Sequence, residues 1–209
     1  MDDFVNDFDS LLHCSRTKAY FNQAGADGTL FPGVRDEMPT PYYQCLSALI
    51  ERIAPHPHGQ LFSQHSIAKC WLSKVTLEPE QLNAFQTMPH YDSLAAHDMA
   101  AVHYLSGEHL GGTHFYRYKK ANKLQFTKQD EALIMQMVQE VKQSAKERQG
   151  YMNESDNIFE NVFSIEAKPN RIVIYSGNIS HSANITDQVD FDKRAQHNRT
   201  SINSFFSLN

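Results

Sequence analysis

The feature that most constrains the fold of this chain is the concentration of strand-like segments in its second half. Short runs rich in β-branched and aromatic residues predict strands at 66–75, 99–105, 113–118, 159–165, 171–175 and 200–206. Helical periodicity appears at 42–53, before Pro55, and at 127–147, after a Thr127 N-cap. Because helices and strands do not alternate, a parallel βαβ sheet is disfavoured. The order predicts a mainly β fold with flanking helices, an antiparallel barrel or sandwich.

The chain is long enough to fold without disulfide or metal staples. It has 209 residues, of which 41% are hydrophobic and 21% charged, a composition typical of globular proteins. The length alone allows one large domain or two small ones. The glycine-containing segment 107–112 predicts a turn that joins strands 99–105 and 113–118 as a β-hairpin.

Charge and cysteine content exclude several classes of function. The net charge of −5 argues against a nucleic-acid partner, because phosphate binding needs clustered Lys and Arg. No run of 18 apolar residues is present, and the acidic start does not resemble a secretory signal, so we expect neither a membrane association nor export. Cys14, Cys45 and Cys70 lack a CxxC pair and predict free thiols in a reducing compartment. We therefore expect a cytoplasmic protein, with its oligomeric state left open.

A candidate metal site is the triplet His90-Tyr91-Asp92. A chain with 11 His produces such a triplet easily by chance, so its context carries the argument. It lies in a turn just before strand 99–105, where alternate side chains point the same way. His181 follows strand 171–175 and is also expected at the rim of a sheet. Two His and one carboxylate on one face form a site that suits non-haem Fe(II) and oxygen chemistry.

A candidate anion-binding residue is Arg199, at the start of the last strand. The two-residue period of a strand places Arg199, Ser201 and Asn203 on one face. An inward-facing Arg is costly unless it meets an anion, and a planar guanidinium fits a carboxylate. The sequence therefore predicts a carboxylate-binding Arg199.

In this order, the motifs resemble the Fe(II)/2-oxoglutarate-dependent dioxygenases, most closely the prolyl-hydroxylase-type branch. The motifs are His90-Tyr91-Asp92, residues 102–106, 111–116 and 171–175, Ser180-His181-Ser182-Ala183 and Arg199-Thr200-Ser201. The resemblance implies a double-stranded β-helix, or jelly-roll, barrel in a single domain over residues 1–209. Residues 86–207 would form the barrel core that carries the iron site, and residues 1–85 its helical and strand support.

The resemblance also implies a role for each matching residue. His90, Asp92 and His181 would bind Fe(II), while Arg199, Tyr104 and Ser201 would bind the co-substrate 2-oxoglutarate. No catalytic side chain is implied beyond the metal ligands. The implied activity is hydroxylation with dioxygen, which releases succinate and carbon dioxide. The substrate would be a peptidyl residue, a free amino acid or a small metabolite.

One departure from the family pattern concerns Arg199. It lies 18 positions after His181, whereas the basic residue of the family usually follows the distal histidine by about ten positions. Lys193 and Arg194 are closer and are alternatives for the same role. We prefer Arg199 because it leads directly into a strand, whereas the other two lie in a polar, loop-like segment.

Other histidines and a second class of function remain as alternatives. His56-Pro57-His58 is a second histidine pair, which we interpret as a loop because the prolines remove backbone donors. His97, Asp98 and His103 are expected as buried, hydrogen-bonded neighbours of the site. The rival functional class is a non-catalytic, metal-holding β-barrel that acts as a binding module, because fold alone does not define function.

Overall fold

Two antiparallel β-sheets face each other, and α-helices cover the outer face of the larger sheet. The computed structural model describes residues 1–53, 65–146, 148–192, 194 and 198–208. The elements are α1 (Phe8–Thr17), β1 (Gly33–Glu37), α2 (Thr40–Ile53), β2 (His65–Val75), β3 (Asp98–Tyr104), β4 (Thr113–Tyr118), α3 (Glu131–Gln143), β5 (Phe159–Ile165), β6 (Arg171–Ser176), β7 (His181–Ala183) and β8 (Thr200–Leu208). The mainly β class with flanking helices is confirmed.

The strand order differs strongly from the sequence order. The larger sheet has the order β1-β2-β8-β3-β6, and the smaller sheet has the order β5-β4-β7. Every strand pair is antiparallel. The hydrogen-bonded ladders of the described residues form these two sheets and do not close into a barrel. The first 75 residues supply β1 and β2, so the N-terminal part contributes strands to the larger sheet as well as helical support.

The predicted β-hairpin between strands 99–105 and 113–118 is wrong. β3 pairs with β6 and β8, whereas β4 pairs with β5 and β7 in the other sheet. A 3-10 turn over Glu108–Leu110 ends at Gly111, which has a φ of 93°. A Cβ atom on Gly111 would collide with the carbonyl oxygen of Asn184. The glycines therefore carry the chain from one sheet to the other instead of reversing it within a sheet.

The two faces of the larger sheet have different neighbours. On β8, Ile202 and Phe206 point outward and pack with Leu46 of α2 in the main hydrophobic core. Phe205, on the opposite face of β8, packs with Phe115 of the smaller sheet. Full burial of each such side chain is worth roughly 1.5–3 kcal/mol. The alternation of β8 therefore separates a helix-covered core from the space between the sheets.

Most predicted strands and helices are confirmed to within two residues. The exception is the helix predicted over 127–147, which consists of a 3-10 turn at Lys128–Asp130 and α3. Its N-terminal cap is confirmed, because Thr127 donates from both its backbone N and its Oγ1 to Asp130 at 2.8 Å. The buried face of α3 ends at Val141, and the helix ends at Gln143.

The remaining expectations concern cysteines and membranes. Cys14 and Cys45 are exposed and Cys70 is buried, and all three are free thiols, as predicted. Among the described residues, no helix is both long and apolar enough to cross a membrane.

Candidate metal centre

His90, Asp92 and His181 come together at one end of the space between the sheets. Their ligand atoms all lie within 4.8 Å of one another. Asp92 Oδ1 is 3.8 Å from His90 Nε2, and Asp92 Oδ2 is 3.6 Å from His181 Nε2. The ring centroids of the two histidines are 4.4 Å apart. Three ligands on one side of a common point leave the opposite side open, the arrangement of a two-histidine, one-carboxylate metal site.

Backbone hydrogen bonds fix the positions of all three side chains. His90 and His181 exchange both backbone N–H···O bonds, each 2.8 Å long, so the two residues lie directly opposite each other. The backbone N of Asp92 donates to Gly177 O at 2.8 Å, in the turn between β6 and β7. Backbone hydrogen bonds therefore fix the positions from which the three side chains of the triad extend.

The ring of His181 is oriented for metal binding. Its Nδ1 lies 2.9 Å from the carbonyl oxygen of Ile179, which can only accept, so this nitrogen carries the proton. The lone pair of Nε2 then points toward Asp92 and is free to bind a metal. The ring is buried and packs edge-on against Tyr175, with 4.8 Å between centroids. The tautomer and the orientation of His181 are both set before a metal arrives.

The surroundings of His90 favour its neutral form. Desolvation by neighbouring groups and the charges of His181 and Arg35 lower its pKa, although 58% of the side chain is exposed. Burial raises the pKa of Asp92, an effect that His181 and Arg35 oppose. A neutral imidazole is the form that binds a metal, and a bound cation would offset the burial of the Asp92 carboxylate.

Arg199 is buried in the interior, and among the described residues it has no carboxylate partner. Its Nη2 donates to Gly112 O at 2.8 Å, while its Nε is buried and has no hydrogen-bond partner in the described part of the chain. Burial lowers the pKa of Arg199, and the groups that oppose this shift are phenols and not carboxylates. A buried guanidinium is costly unless it meets an anion, so Arg199 is suited to bind an anionic ligand.

The other two predicted co-substrate residues share the inner face with Arg199. Tyr104 is paired with Ser201 across β3 and β8, and both are buried. The Tyr104 hydroxyl lies 2.6 Å from Thr113 Oγ1 on the opposite sheet, which shows that this face looks into the space between the sheets. Ser201 Oγ donates to Asn203 Oδ1 at 3.0 Å, so these two residues also share a face, as the period predicted.

Of the two alternatives to Arg199, only Arg194 is described by the structure, and its position does not favour it. Arg194 is 85% exposed and pairs with Asp192, its Nη2 lying 3.3 Å from Oδ2, so it does not point into the interior. Lys193 lies outside the described residues, and so do His56 and His58.

Of the three expected neighbours of the site, His97 is exposed and therefore not the buried neighbour that was predicted. Asp98 supports the site, because it accepts 2.6 Å hydrogen bonds from Ser93, the residue after Asp92, and from Ser207. His103 lies on the outer, helix-covered face of the larger sheet, where its Nδ1 is 3.2 Å from Tyr42 Oη, so it is buried but not beside the triad. Period 2 explains this, since His103 points opposite to Tyr104.

Sequence reasoning missed Tyr175 and Arg35. Tyr175 contacts His181 and Phe115. Burial raises its pKa far above the usual range, Asp92 adds to this and Arg199 opposes it. Alternation along β6 could have identified Tyr175. Arg35 lies on β1, whose polar sequence gave no strand signal.

A comparison with solved structures defines the class of fold. The non-heme alpha ketoglutarate dependent epimerase SnoN from nogalamycin biosynthesis is similar to this chain, with a TM-score of 0.51 and 12% sequence identity. The similarity covers 99% of this chain and 76% of SnoN. At this identity it shows a shared fold, which supports the resemblance found in the sequence at the level of fold.

The family of the chain follows from its sequence. A family described as a family of unknown function (DUF6445) matches residues 1–206, and the chain belongs to this family. No curated protein matches it. The viral collagen prolyl hydroxylase vCPH from Paramecium Bursaria Chlorella virus-1 also matches, with 11% sequence identity, over 100% of this chain and 94% of vCPH. Its TM-score of 0.41 is too low to show a shared fold.

Proposed function

We propose that this protein is an Fe(II)- and 2-oxoglutarate-dependent oxygenase that hydroxylates a peptidyl, amino-acid or small-metabolite substrate. The observation that carries the proposal is the combination of a His90–Asp92–His181 triad with a buried, unpaired Arg199 in one interior. Tyr175 lies beside the triad, because its ring packs against His181 with 4.8 Å between the centroids. The name of SnoN, a non-heme alpha ketoglutarate dependent enzyme of the same fold, supports this choice of metal and co-substrate.

We infer further that the two sheets are the halves of a double-stranded β-helix. Strands β2, β8, β3 and β6 face β5, β4 and β7, and the His90–His181 bridge adds a fourth segment to the smaller sheet. Four segments facing four match the eight strands of a jelly roll, with β1 as an additional edge strand.

Each residue of the site has a task in the proposed reaction. His90, Asp92 and His181 would hold Fe(II), and Arg199 with Tyr104 would bind the distal carboxylate of 2-oxoglutarate, with Ser201 as a further hydroxyl. Iron and 2-oxoglutarate together supply the oxidation of a C–H bond by dioxygen, with release of succinate and carbon dioxide. Phe115 and Tyr175 pack against His181 and keep water away from that side of the site.

The proposal is tested by anaerobic titration of the protein with Fe(II) and then 2-oxoglutarate, following the weak visible charge-transfer band of the chelate. We expect the band in the wild type and its loss in His181→Ala. Arg199→Ala should need about 10- to 100-fold more 2-oxoglutarate, because a charge-assisted hydrogen bond is worth roughly 1.5–3 kcal/mol. Arg194→Ala is the matched control and should titrate like the wild type, since Arg194 is exposed.

Three outcomes would contradict this account. A band that survives in His181→Ala would remove the triad as the metal site. An equal effect of Arg194→Ala and Arg199→Ala would remove the buried guanidinium as the co-substrate anchor. Iron binding without any band in the wild type would favour a non-catalytic, metal-holding module.

A further inference from the structure

A second arginine, Arg35, lies on the inner face of the larger sheet. Antiparallel register places Arg35 opposite Ser73, Ser73 opposite Ser201 and Ser201 opposite Tyr104. Directly paired residues point to the same side of a sheet. Since Tyr104 reaches Thr113 on the opposite sheet, this row looks into the space between the sheets. Arg35 therefore faces the interior from the β1 edge, three strands away from Tyr104.

Arg35 is rigidly held but has an unused donor. Its Nη1 donates to Asp27 Oδ2 at 3.0 Å and to Thr29 Oγ1 at 3.1 Å, and its guanidinium stacks 4.2 Å from the centroid of the Phe31 ring. Only 11% of the side chain is exposed. Its Nε is buried and has no hydrogen-bond partner within the described ranges. A fixed guanidinium with a buried, unsatisfied Nε is preorganised for an acceptor.

Arg35 and Arg199 lie at different strands of the larger sheet and have different hydrogen-bond partners. Arg35 lies on β1 and donates to Asp27 and Thr29, whereas Arg199, directly before β8, donates to Gly112 O. The two arginines therefore present two separate donor groups to the interior.

An open cleft leads to Arg35. Asn22, Gln23 and Trp71 line it together with Arg35. Asn22 and Gln23 offer amide donors and acceptors, and Trp71 offers an aromatic surface. Trp71 is the single tryptophan of the chain, so its fluorescence reports on this cleft.

We propose that Arg35 is a specificity-determining residue that binds a carboxylate group of the primary substrate, on the inner face of the larger sheet that also carries Ser201 and Tyr104. This inference rests on the proposed oxygenase function and names the class of its substrate. A carboxylate fits better than a phosphate for two reasons. Asp27 already balances part of the positive charge, which favours a monoanion, and the free edge of a planar guanidinium matches a planar carboxylate.

The test measures the quenching of Trp71 fluorescence in the anaerobic Fe(II)–2-oxoglutarate complex. The probes are N-acetylated amino acids, their uncharged N-acetyl amides and methyl phosphate. We expect at least one acid to bind the wild type at least tenfold more tightly than its amide and than methyl phosphate. Arg35→Gln should remove this preference, and Arg35→Lys should retain part of it. Arg117→Gln, at an exposed ion pair with Glu160, is the charge-matched control and should behave like the wild type.

A purely structural role of Arg35 gives a different result. Asp27→Asn removes the ion pair that holds the guanidinium but leaves its Nε in place. If Arg35 acts only by holding the segment that contains Asp27 and Thr29, both Asp27→Asn and Arg35→Gln should lower the thermal unfolding midpoint. Both should then also lower the acid-over-amide preference. We expect Asp27→Asn to keep the preference.

The remaining outcomes separate this inference from the proposed function. Equal affinity for acid and amide, a preference for methyl phosphate or the lack of any saturable quenching would overturn the role of Arg35, even where the chelate band forms normally. If Arg35→Gln shifts the 2-oxoglutarate titration as Arg199→Ala does, Arg35 belongs to the co-substrate site and the inference is wrong. If the wild type forms no chelate band, the proposed function fails first.

Discussion

His103 and Arg199 show how differently the fold treats two buried titratable side chains. His103 Nε2 lies 3.1 Å from Asn170 Oδ1, and Nδ1 lies 3.2 Å from the Tyr42 hydroxyl, so both ring nitrogens are satisfied in the neutral form. Arg199 keeps a buried Nε without a partner in the described structure. Full satisfaction by protein groups indicates a structural role for His103, whereas the unused donor of Arg199 is available to a ligand. At the scale of single residues, this difference distinguishes His103 from Arg199.

The neutral state of His103 predicts a loss of stability in mild acid. Burial lowers its pKa from 6.5 to about 4, against a smaller opposing effect of Asn170. Between these two values the unfolded state binds more protons than the folded state, so the free energy of unfolding falls as pH decreases. The expected loss from His103 is about 2 kcal/mol between pH 7 and pH 5, measured by urea unfolding.

The variant His103→Gln isolates this contribution. It cannot titrate in this range, so its own loss between pH 7 and pH 5 should be smaller than that of the wild type by this amount, whatever its stability at pH 7. Equal losses in both proteins would show that His103 is not the group responsible.

At the scale of elements, the passage from β3 to β4 determines the architecture. Gly111 has a positive φ, and a Cβ atom there would collide with the backbone of Asn184. The next residue, Gly112, provides the carbonyl oxygen that accepts from Arg199. Two adjacent glycines therefore serve both features: Gly111 allows the chain to pass between the sheets, and Gly112 binds Arg199 of the candidate anion site.

Gly111→Ala should therefore lower the free energy of unfolding far more than Gly25→Ala, although both glycines have a positive φ. Gly25 has a φ of 76°, and no atom lies within 4 Å of the place that an added methyl group would occupy, so Gly25→Ala should cost only about 1–2 kcal/mol. Gly111→Ala adds a backbone collision and should lower the free energy of unfolding by more than about 3 kcal/mol. Chemical unfolding of both variants checks this, and equal costs would contradict the crossing geometry.

The elements also show what the sequence can and cannot predict. Strands such as β4 and β5 have the predicted bounds, because alternation reports directly on a half-buried strand. The hairpin prediction failed, because pairing depends on where the chain crosses between sheets and not on local pattern. β1 has the polar sequence Gly-Val-Arg-Asp-Glu and is a strand only because β2 pairs with it, so Arg35 could not be placed on the inner face in advance.

The candidate site itself was more predictable than the sheet topology. The resemblance to a family named His90, Asp92 and His181 together, and the structure brings these three residues together. The burial of Arg199 and its unpaired Nε depend on long-range packing, which no local pattern reports. Only the three-dimensional structure therefore distinguishes the buried Arg199 from the exposed Arg194.

At the scale of the whole molecule, the two sheets enclose a single interior that contains the candidate metal triad and two arginines. The larger sheet uses β1 and β2 from the first 75 residues and β8 from the end of the described chain. The interior therefore exists only when distant parts of the chain have paired. We expect no isolated part of the sequence to bind iron as the whole chain does.

The most direct test of the central claim is the conversion of 2-oxoglutarate to succinate by the Fe(II)-loaded protein in air. The account predicts slow succinate formation by the wild type even without a primary substrate, and at least a hundredfold less in Asp92→Ala. Arg117→Ala, at the surface of the smaller sheet, should match the wild type. Equal succinate formation by the wild type and Asp92→Ala, or none by a wild type that binds both iron and 2-oxoglutarate, would contradict the assignment of this chain as an oxygenase.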